Sequence, residues 1–141
     1  MAEVVTVDEW LKPLPQVDEV NREFWSSGAR GTLLIQECPE CHHRQFYPRA
    51  LCTKCGDNPG WLECSGRAVV HTFTIVRQMG MRPFRDELPY VVAMVQLDEG
   101  PRMMGNVTDI DPERVRIGMP VEVYFVQAAE DVGIPMWRPA A

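Results

Sequence analysis

The chain has 141 residues, of which 45% are hydrophobic and 24% are charged. This composition is typical of a folded globular chain, and the length suits one ordinary domain or two very small ones. The net charge of −6 argues against a general electrostatic attraction to nucleic acid. No uncharged apolar stretch approaches the ~20 residues that span a bilayer, and the acidic N-terminus lacks the basic start of a secretory signal. We therefore expect a cytoplasmic protein with no membrane anchor.

Residues 1–30 predict an acidic arm followed by a short helix. Two prolines interrupt the arm, and Asp18 then fits an N-cap position. Phe24 and Trp25 lie on the apolar face of the predicted helix. Gly28 suits the end of that helix because glycine readily adopts the left-handed conformation. A helix of two to three turns needs another element to pack on.

Residues 31–64 predict a small region that lacks a core of its own. Two short strands are expected at Thr32–Glu37 and Arg44–Tyr47, with loops rich in proline and glycine after them. Large apolar residues are too few here to stabilise an independent fold. A cross-link or a metal ion is therefore expected to stabilise this region.

Two C-x-x-C motifs separated by ten residues supply four thiolates, from Cys38, Cys41, Cys52 and Cys55. Four sulfurs on two tight turns match the tetrahedral coordination of a structural zinc ion. Gly56 follows the second motif and accommodates the positive φ that such a turn requires. His42 holds the equivalent position after the first motif, where glycine adopts that conformation more easily, so slight strain is expected there.

Other interpretations of the cysteines remain open at this stage. Four thiolates also suit iron, as in rubredoxin-like sites. Disulfides or redox dithiols are disfavoured because the two motifs are close together and outside a βαβ context. His42 and His43 are surplus to a four-cysteine site and are expected at the surface. Cys64 is expected to be a small, half-buried residue.

Residues 65–141 predict a small closed β-barrel. One helical turn is expected at Asp111–Glu113, with Asp111 as its cap. The segment Gln78–Glu87 breaks the strand pattern and is predicted to be a mobile loop. Regular alternation in the first strand would place His71 and Phe73 on one face. The predicted strands are Arg67–Arg77, Pro89–Leu97, Pro101–Val107 and Met119–Val126.

The familiar catalytic motifs are missing from the sequence. It has no G-x-S-x-G, no phosphate-binding loop, no G-x-G-x-x-G after a strand and no H-E-x-x-H. We therefore predict no catalytic residues, and the pattern favours a module that binds or supports another molecule.

The order of the motifs resembles one known family, the rubredoxin-like zinc ribbons fused to an OB-fold, long labelled a domain of unknown function. The match runs from about Val20 to Pro139. It implies a mainly β fold with an N-terminal helix and arm (1–30), a zinc ribbon (31–64) and a five-stranded OB-fold barrel (65–141). The motifs that carry it are Phe24-Trp25, Cys38-Pro-Glu-Cys41, Phe46-Tyr47-Pro48-Arg49, Leu51 to Gly56, Trp61-Leu-Glu, Ser65-Gly66-Arg67, Leu88 to Ala93, Gly105-Asn106, Val115 to Val121 and Arg138-Pro139.

The resemblance also implies a function. Members of the family accompany acyl-CoA enzymes, either thiolase-fold enzymes and related aldolases or MaoC-like hydratases, and the catalytic residues lie on the partner. The chain is thus expected to be a non-catalytic accessory subunit of a thiolase-type acyl-CoA complex, in a two-plus-two assembly that completes or gates the acyl-CoA site. A hydratase accessory subunit is the alternative.

Two further alternatives are weaker. OB-folds bind single-stranded nucleic acid elsewhere, but residues 65–141 hold ten acidic and eight basic residues. A stand-alone acyl-CoA enzyme would require a nucleophile that the sequence does not show.

Within that family resemblance, residue chemistry indicates two kinds of contact. The cations on the ribbon are candidates for binding the phosphates of coenzyme A: Arg44, Arg49 and Lys54. Aromatic, methionine and arginine side chains are enriched in the cores of interfaces. The candidate partner contacts are Phe24, Trp25, Met79, Met81, Phe84, Arg85 and Tyr90.

Overall fold

The computed structural model describes residues 1–141 and contains two short helices and nine strands. The helices are α1 (Arg22–Ala29) and α2 (Arg82–Arg85), with a 3-10 turn at Pro112–Arg114. None of them has the length and apolar character to cross a membrane. The strands are β1 (Val4–Thr6), β2 (Leu34–Glu37), β3 (Arg44–Gln45), β4 (Gly60–Glu63), β5 (Arg67–Val76), β6 (Tyr90–Leu97), β7 (Arg102–Val107), β8 (Pro120–Ala129) and β9 (Val132–Pro139).

Five strands close into a barrel, as the sequence predicts. The strand order is β8-β5-β6-β7-β9, and β8 pairs in turn with β9. The short strand β1 adds to β8 in parallel on the outside. A separate three-stranded sheet, β3-β2-β4, forms the ribbon. The mainly β architecture expected from the family resemblance is therefore confirmed.

The barrel encloses one apolar core. Trp137 is 0% exposed and packs with buried valines and with Phe125. Gly105 on β7 makes room for this indole, because a Cβ at that position would lie 2.8 Å from Trp137 Cδ1. Ile35 of the ribbon joins the same core. Strand β2 thus contributes apolar packing to the barrel.

Strand β5 differs from the regular alternation that the sequence predicts. A register shift between Val70 and Thr72 places one extra residue, His71, in this strand opposite β6. Ala68 and Val70 point into the core before this bulge, and Phe73 packs against the core after it. His71 is exposed. The bulge therefore separates His71 from the face that Phe73 occupies, since one extra residue reverses the alternation.

Helix α1 begins later than predicted and continues through Gly28 to Ala29. Asp18 caps the turn before the helix, where its Oδ1 accepts hydrogen bonds from the N–H groups of Val20 and Asn21 at 2.9 Å. Gly28 is buried, and a Cβ there would lie 2.6 Å from the carbonyl oxygen of Gly133 on β9. This glycine serves a close helix–strand approach rather than a helix stop.

Four elements are absent from the sequence predictions. Strands β1, β4 and β9 were not predicted, and the predicted loop Gln78–Glu87 contains helix α2. The predicted turn after Asp111 is confirmed, because the Asp111 side chain accepts a hydrogen bond from the N–H of Glu113 at 3.0 Å. Strand β9 matters most, because it closes the barrel and carries Trp137.

Candidate metal centre and docking groove

The two C-x-x-C motifs bring four sulfur atoms together. The Sγ atoms of Cys38 and Cys55 are 3.4 Å apart, and those of Cys41 and Cys52 are 3.6 Å apart. All four lie within 4.8 Å of one another. A tetrahedral ion at ~2.3 Å from each sulfur separates the sulfurs by ~3.8 Å. The donor set therefore fits a structural metal ion of that geometry.

Both motifs form the same tight turn. The N–H of His42 donates to the carbonyl of Cys38 at 2.9 Å, and the N–H of Gly56 donates to the carbonyl of Cys52 at 3.0 Å. The residue after each motif has a positive φ, 63° at His42 and 84° at Gly56. His42 thus adopts the left-handed conformation that the sequence predicted to be strained.

Backbone N–H groups stabilise negative charge on one ligand. The N–H groups of Cys55 and Lys54 point at the Cys52 sulfur and lower the pKa of this thiol to about 6. His43 Nε2 lies 3.1 Å from Thr53 Oγ1, and His42 is exposed. Neither histidine joins the cluster.

Cys64 lies outside the metal cluster and is half-buried, as predicted. Burial, together with the nearby Glu99 carboxylate, raises the pKa of its thiol to about 12. The neutral thiol therefore predominates at physiological pH, which is the opposite of what a nucleophilic cysteine requires.

The three ribbon cations do not share one site. Arg44 forms an ion pair with Glu37 at 2.7 Å and donates to the backbone carbonyl of Glu99 at 3.1 Å. Arg49 lines a hollow of about 280 Å³ together with Glu19 and Glu23. Lys54 is exposed on the second C-x-x-C turn. Two of the three candidate phosphate ligands therefore have carboxylates as neighbours.

An apolar groove of about 420 Å³ lies where helix α1, the ribbon, helix α2 and the barrel meet. We call it the aromatic groove. Exposed Met104 is on its rim. Besides Met104, its walls include Trp25 from α1, Phe46 and Tyr47 from the ribbon, Phe84 from α2 and Tyr90 from the barrel.

Four of the seven predicted partner contacts line this groove, namely Phe24, Trp25, Phe84 and Tyr90. Phe24 is only 3% exposed, and its ring centroid lies 5.4 Å from that of Phe46, so it supports the groove from the core and offers little surface of its own. The other three predicted contacts lie in the 78–87 segment outside the groove: Met79, Met81 and Arg85. The Arg85 guanidinium donates to the carbonyl of Gly80 at 2.6 Å.

The N-terminal arm extends the apolar surface beyond the groove. A second hollow of about 350 Å³ contains Trp10 and Leu14 and shares Trp25 and Phe84 with the aromatic groove. Lys12 anchors the arm, since its Nζ lies 5.4 Å from the Phe84 ring centroid and pairs with Glu87.

Sequence reasoning did not identify the arm, Phe46, Tyr47 or Met104 as surface candidates. The available signal was a set of apolar residues in a proline-interrupted arm that no regular element buries. Leu11 and Leu14 are both exposed in the structure.

Comparisons with known proteins identify two regions of the chain. Residues 25–59 match the rubredoxin-like zinc ribbon domain of ChsH2. Residues 61–126 match the C-terminal OB-fold domain of ChsH2. The chain is also 35% identical over 104 residues to a DUF35 domain-containing scaffold protein of Methanocaldococcus jannaschii, covering 72% of this chain and 73% of that protein.

Two other matches involve proteins of acyl-CoA or aldol chemistry by their names. A probable enoyl-CoA hydratase alpha subunit of Thermomonospora curvata is 32% identical over 132 residues, which is 92% of this chain but only 40% of that protein. A solved structure described as Ltp2-ChsH2(DUF35) aldolase superposes with a TM-score of 0.82 at 30% identity, covering 91% of this chain and all of that one. The chain belongs to the DUF35 family, with the ChsH2-type zinc ribbon and OB-fold domains.

Proposed function

We propose that this chain is a zinc-binding accessory subunit of a thiolase-type acyl-CoA enzyme complex, in which the partner subunit carries the catalytic residues. The observation that carries the proposal is the aromatic groove, continuous with the exposed apolar arm and built against a metal-stabilised ribbon. Docking of the partner on this surface would support the partner's fold and complete its acyl-CoA site.

Zinc is the proposed metal. Four cysteine sulfurs fill all four positions of a tetrahedral site, which leaves none for a catalytic water. The role of the ion is therefore structural, and its binding energy stabilises the ribbon. Metal analysis of the purified protein decides between zinc and iron, which the same four sulfurs also suit.

The side chains of the aromatic groove have the chemistry of an interface core. Aromatic residues and methionine are enriched at such cores, and tryptophan and tyrosine dominate their binding energy. Tyr47, Met104 and Leu14 are exposed apolar residues on or beside the groove. A contiguous apolar surface of this kind is typical of a docking site.

The names of the relatives support the choice of partner. One similar structure is described as an aldolase with a ChsH2(DUF35) component, and one relative is named as a hydratase alpha subunit. By analogy, a thiolase-fold or aldolase subunit is the proposed partner, in a two-plus-two assembly. A MaoC-like hydratase subunit is the second candidate, since two hydratase alpha subunits match this chain.

Contact with coenzyme A is a further part of the proposal. Lys54 is the best placed of the ribbon cations, because it is exposed and forms no ion pair. Arg44 and Arg49 would have to exchange acidic neighbours for phosphate. The proposed division of the chain into arm and helix (1–30), ribbon (31–64) and OB-fold (65–141) follows the strands, since β4 ends at Glu63 and β5 begins at Arg67.

Co-expression with the thiolase-fold protein encoded nearest to this chain tests the docking proposal. The wild-type chain should co-purify with that partner, and Met104→Glu should abolish co-purification, because the substitution places a charge on the groove rim. Ile117→Glu is the matched control, since Ile117 is similarly exposed (70% against 65%) but lies outside the groove.

Three results would contradict parts of the proposal. Equal loss of partner by both variants would contradict the groove assignment. Co-purification with a MaoC-like hydratase alone would favour the second candidate. Purification without either partner, together with a shift of single-stranded oligonucleotides, would favour a nucleic-acid binder instead.

A further inference from the structure

Two buried glutamine side chains connect the metal-binding turns to the aromatic groove. Gln45 on β3 accepts hydrogen bonds at its Oε1 from both the N–H (2.9 Å) and the hydroxyl (3.0 Å) of Thr53. Its Nε2 donates to Gln36 Oε1 on β2 at 2.8 Å. Thr53 lies between the ligands Cys52 and Cys55. Gln45 therefore joins the second metal-binding turn to the interior of the ribbon.

Gln36 continues this connection to the loop that follows β3. Its Oε1 also accepts from the N–H of Arg49 at 2.8 Å, and its Nε2 donates to the carbonyl of Arg49 at 2.9 Å. Gln45 Nε2 additionally lies 3.3 Å from the carbonyl of Leu51. We call Gln36 and Gln45, with these bonds, the glutamine pair.

The glutamine pair fixes both ends of the segment that forms one wall of the groove. Phe46 and Tyr47 lie between Gln45, which is part of the pair, and Arg49, whose backbone the pair holds. The Tyr47 hydroxyl accepts a hydrogen bond from Nδ2 of buried Asn21 at 3.1 Å, which joins the wall to the start of helix α1. A displacement of Thr53 would thus move the groove wall, because the Gln45 side chain bonds to Thr53 and Gln45 directly precedes Phe46.

We propose that the glutamine pair couples metal binding to the shape of the aromatic groove, so that only the metal-loaded chain presents a complete docking surface. The metal fixes Thr53 between its ligands, Gln45 transmits this constraint to Gln36, and together they hold Phe46 and Tyr47 in place. Gln36 and Gln45 act as positioning residues. The inference rests on the proposed function only in that the groove is the partner surface.

Amide hydrogen exchange on the metal-loaded full chain, followed by NMR, tests the coupling without any partner. The N–H groups of Arg49 and Thr53 bond to the glutamine side chains, so their exchange reports on the pair directly. Gln45→Met keeps about the same side-chain volume but removes the hydrogen bonds that Gln45 makes to Thr53 and to Gln36, and so leaves Gln36 as the only glutamine that holds Arg49. We expect unchanged metal content, about tenfold or faster exchange at Phe46 to Thr53, shifted Tyr47 ring resonances, and unchanged exchange in β6 and β8.

The matched control is Gln127→Met, which removes one glutamine hydrogen bond on β8, far along the chain from the ribbon. It should leave the amides of Phe46 to Thr53 unchanged. If Gln45→Met does not fold, Thr53→Ala removes only the hydroxyl bond to Gln45 from the same connection, along with the contact of that hydroxyl with His43. A smaller acceleration of the same amides is expected for it, and no acceleration would overturn the proposal.

Removal of the metal from the wild type with a chelator supplies the second arm of the test. Exchange of the same amides should become faster while the amides of the barrel stay protected. In the metal-free protein, Gln45→Met should raise these exchange rates by less than about a further twofold, because the effects of contacts that act in series are not additive. Unchanged protection of Phe46 to Thr53 after metal removal would overturn the coupling. The coupling would also be overturned if the effects of metal removal and of Gln45→Met on the exchange rates multiplied fully, or if the barrel lost its protection together with the ribbon. Because no partner is involved, these outcomes are independent of the co-purification result.

Discussion

The ribbon and the barrel are stabilised by different interactions. The barrel buries valines, Phe125 and Trp137 in one apolar cluster, where the hydrophobic effect supplies the main driving force. The ribbon instead has two buried glutamines in its interior and four clustered cysteine sulfurs, of which those of Cys38 and Cys52 belong to buried residues. Polar groups in such an interior must be hydrogen-bonded, and they add little net stability. The ribbon therefore depends on a metal where the barrel depends on packing.

Strand β2 shows how the two regions are joined. Its alternation sends Ile35 into the barrel core, while Gln36 points into the ribbon and holds the loop at Arg49. The ribbon is thus anchored to a stable body by one face of a strand, and its other face is organised by polar contacts. This difference indicates that the ribbon will open first when the metal is lost.

Replacement of a metal ligand should give the largest effect. Cys52→Ser removes one of four sulfurs, so the ribbon loses most of a metal-binding free energy of about 10–16 kcal/mol. We expect loss of bound metal and unfolding of the ribbon, with the barrel still folded. Metal analysis together with amide hydrogen exchange measures both outcomes.

Cys64→Ser is the control for this experiment, because Cys64 lies outside the cluster. It should retain the metal and the protected ribbon. Retained metal and unchanged exchange in Cys52→Ser would contradict the metal assignment. Simultaneous unfolding of β6 and β8 would contradict the independence of the barrel.

Truncation of a core residue should destabilise the barrel instead of the ribbon. Trp137→Ala removes the largest fully buried side chain of the barrel and should lower the free energy of unfolding by about 3–5 kcal/mol. Thermal unfolding of the metal-loaded protein measures this change. Trp61→Ala, at a partly exposed position on β4, should cost far less. An equal loss of unfolding free energy at both tryptophans would show that the ribbon and the barrel depend on apolar packing to the same extent.

The smallest expected effect concerns Cys64, close to where the two regions meet. The raised pKa means that the folded chain keeps this thiol protonated at pH values where an unfolded chain releases the proton. The associated stability is present below pH 9.0, the ordinary pKa of a cysteine thiol, and is lost as pH rises towards about 12.

At pH 8.5, iodoacetamide should modify Cys64 in the folded protein roughly a thousandfold more slowly than in urea, because the thiolate is the reactive form and its fraction falls about tenfold for each unit by which the pKa is raised. Mass spectrometry of the modified peptide measures both rates. Rapid modification of the folded chain would show that Cys64 is not held in its neutral form.

Local signals predicted a closed barrel and four of its strands, but not β9, the strand that closes it. Four strands and the turn at Asp111 follow from alternation and capping residues. Strand β9 contains Gly133 and Pro135, which usually argue against a strand, and its pairing with both β8 and β7 overrides that preference. The bulge at His71 is equally invisible in the sequence, because only the register against β6 defines it.

The candidate site also has one part that the sequence predicted and one part that it did not. The four cysteines were predictable because ligand spacing is a local property of two short turns. The aromatic groove was predicted only in part, since Trp25, Phe84 and Tyr90 come together with Phe46 and Tyr47 from a different region. The burial of Phe24 was not predictable, because an apolar helix face gives no information on which of its residues the core buries.

The amino-acid sequence alone determined the four-cysteine cluster, the positive φ after each C-x-x-C motif and the β-rich nature of residues 65–141. These properties depend on residues a few positions apart, so local geometry fixes them. Only the tertiary structure decided where the barrel closes, which apolar residues remain exposed and how Gln36 and Gln45 connect the metal centre to the groove. Such properties depend on contacts between distant parts of the chain, which packing of the whole molecule selects.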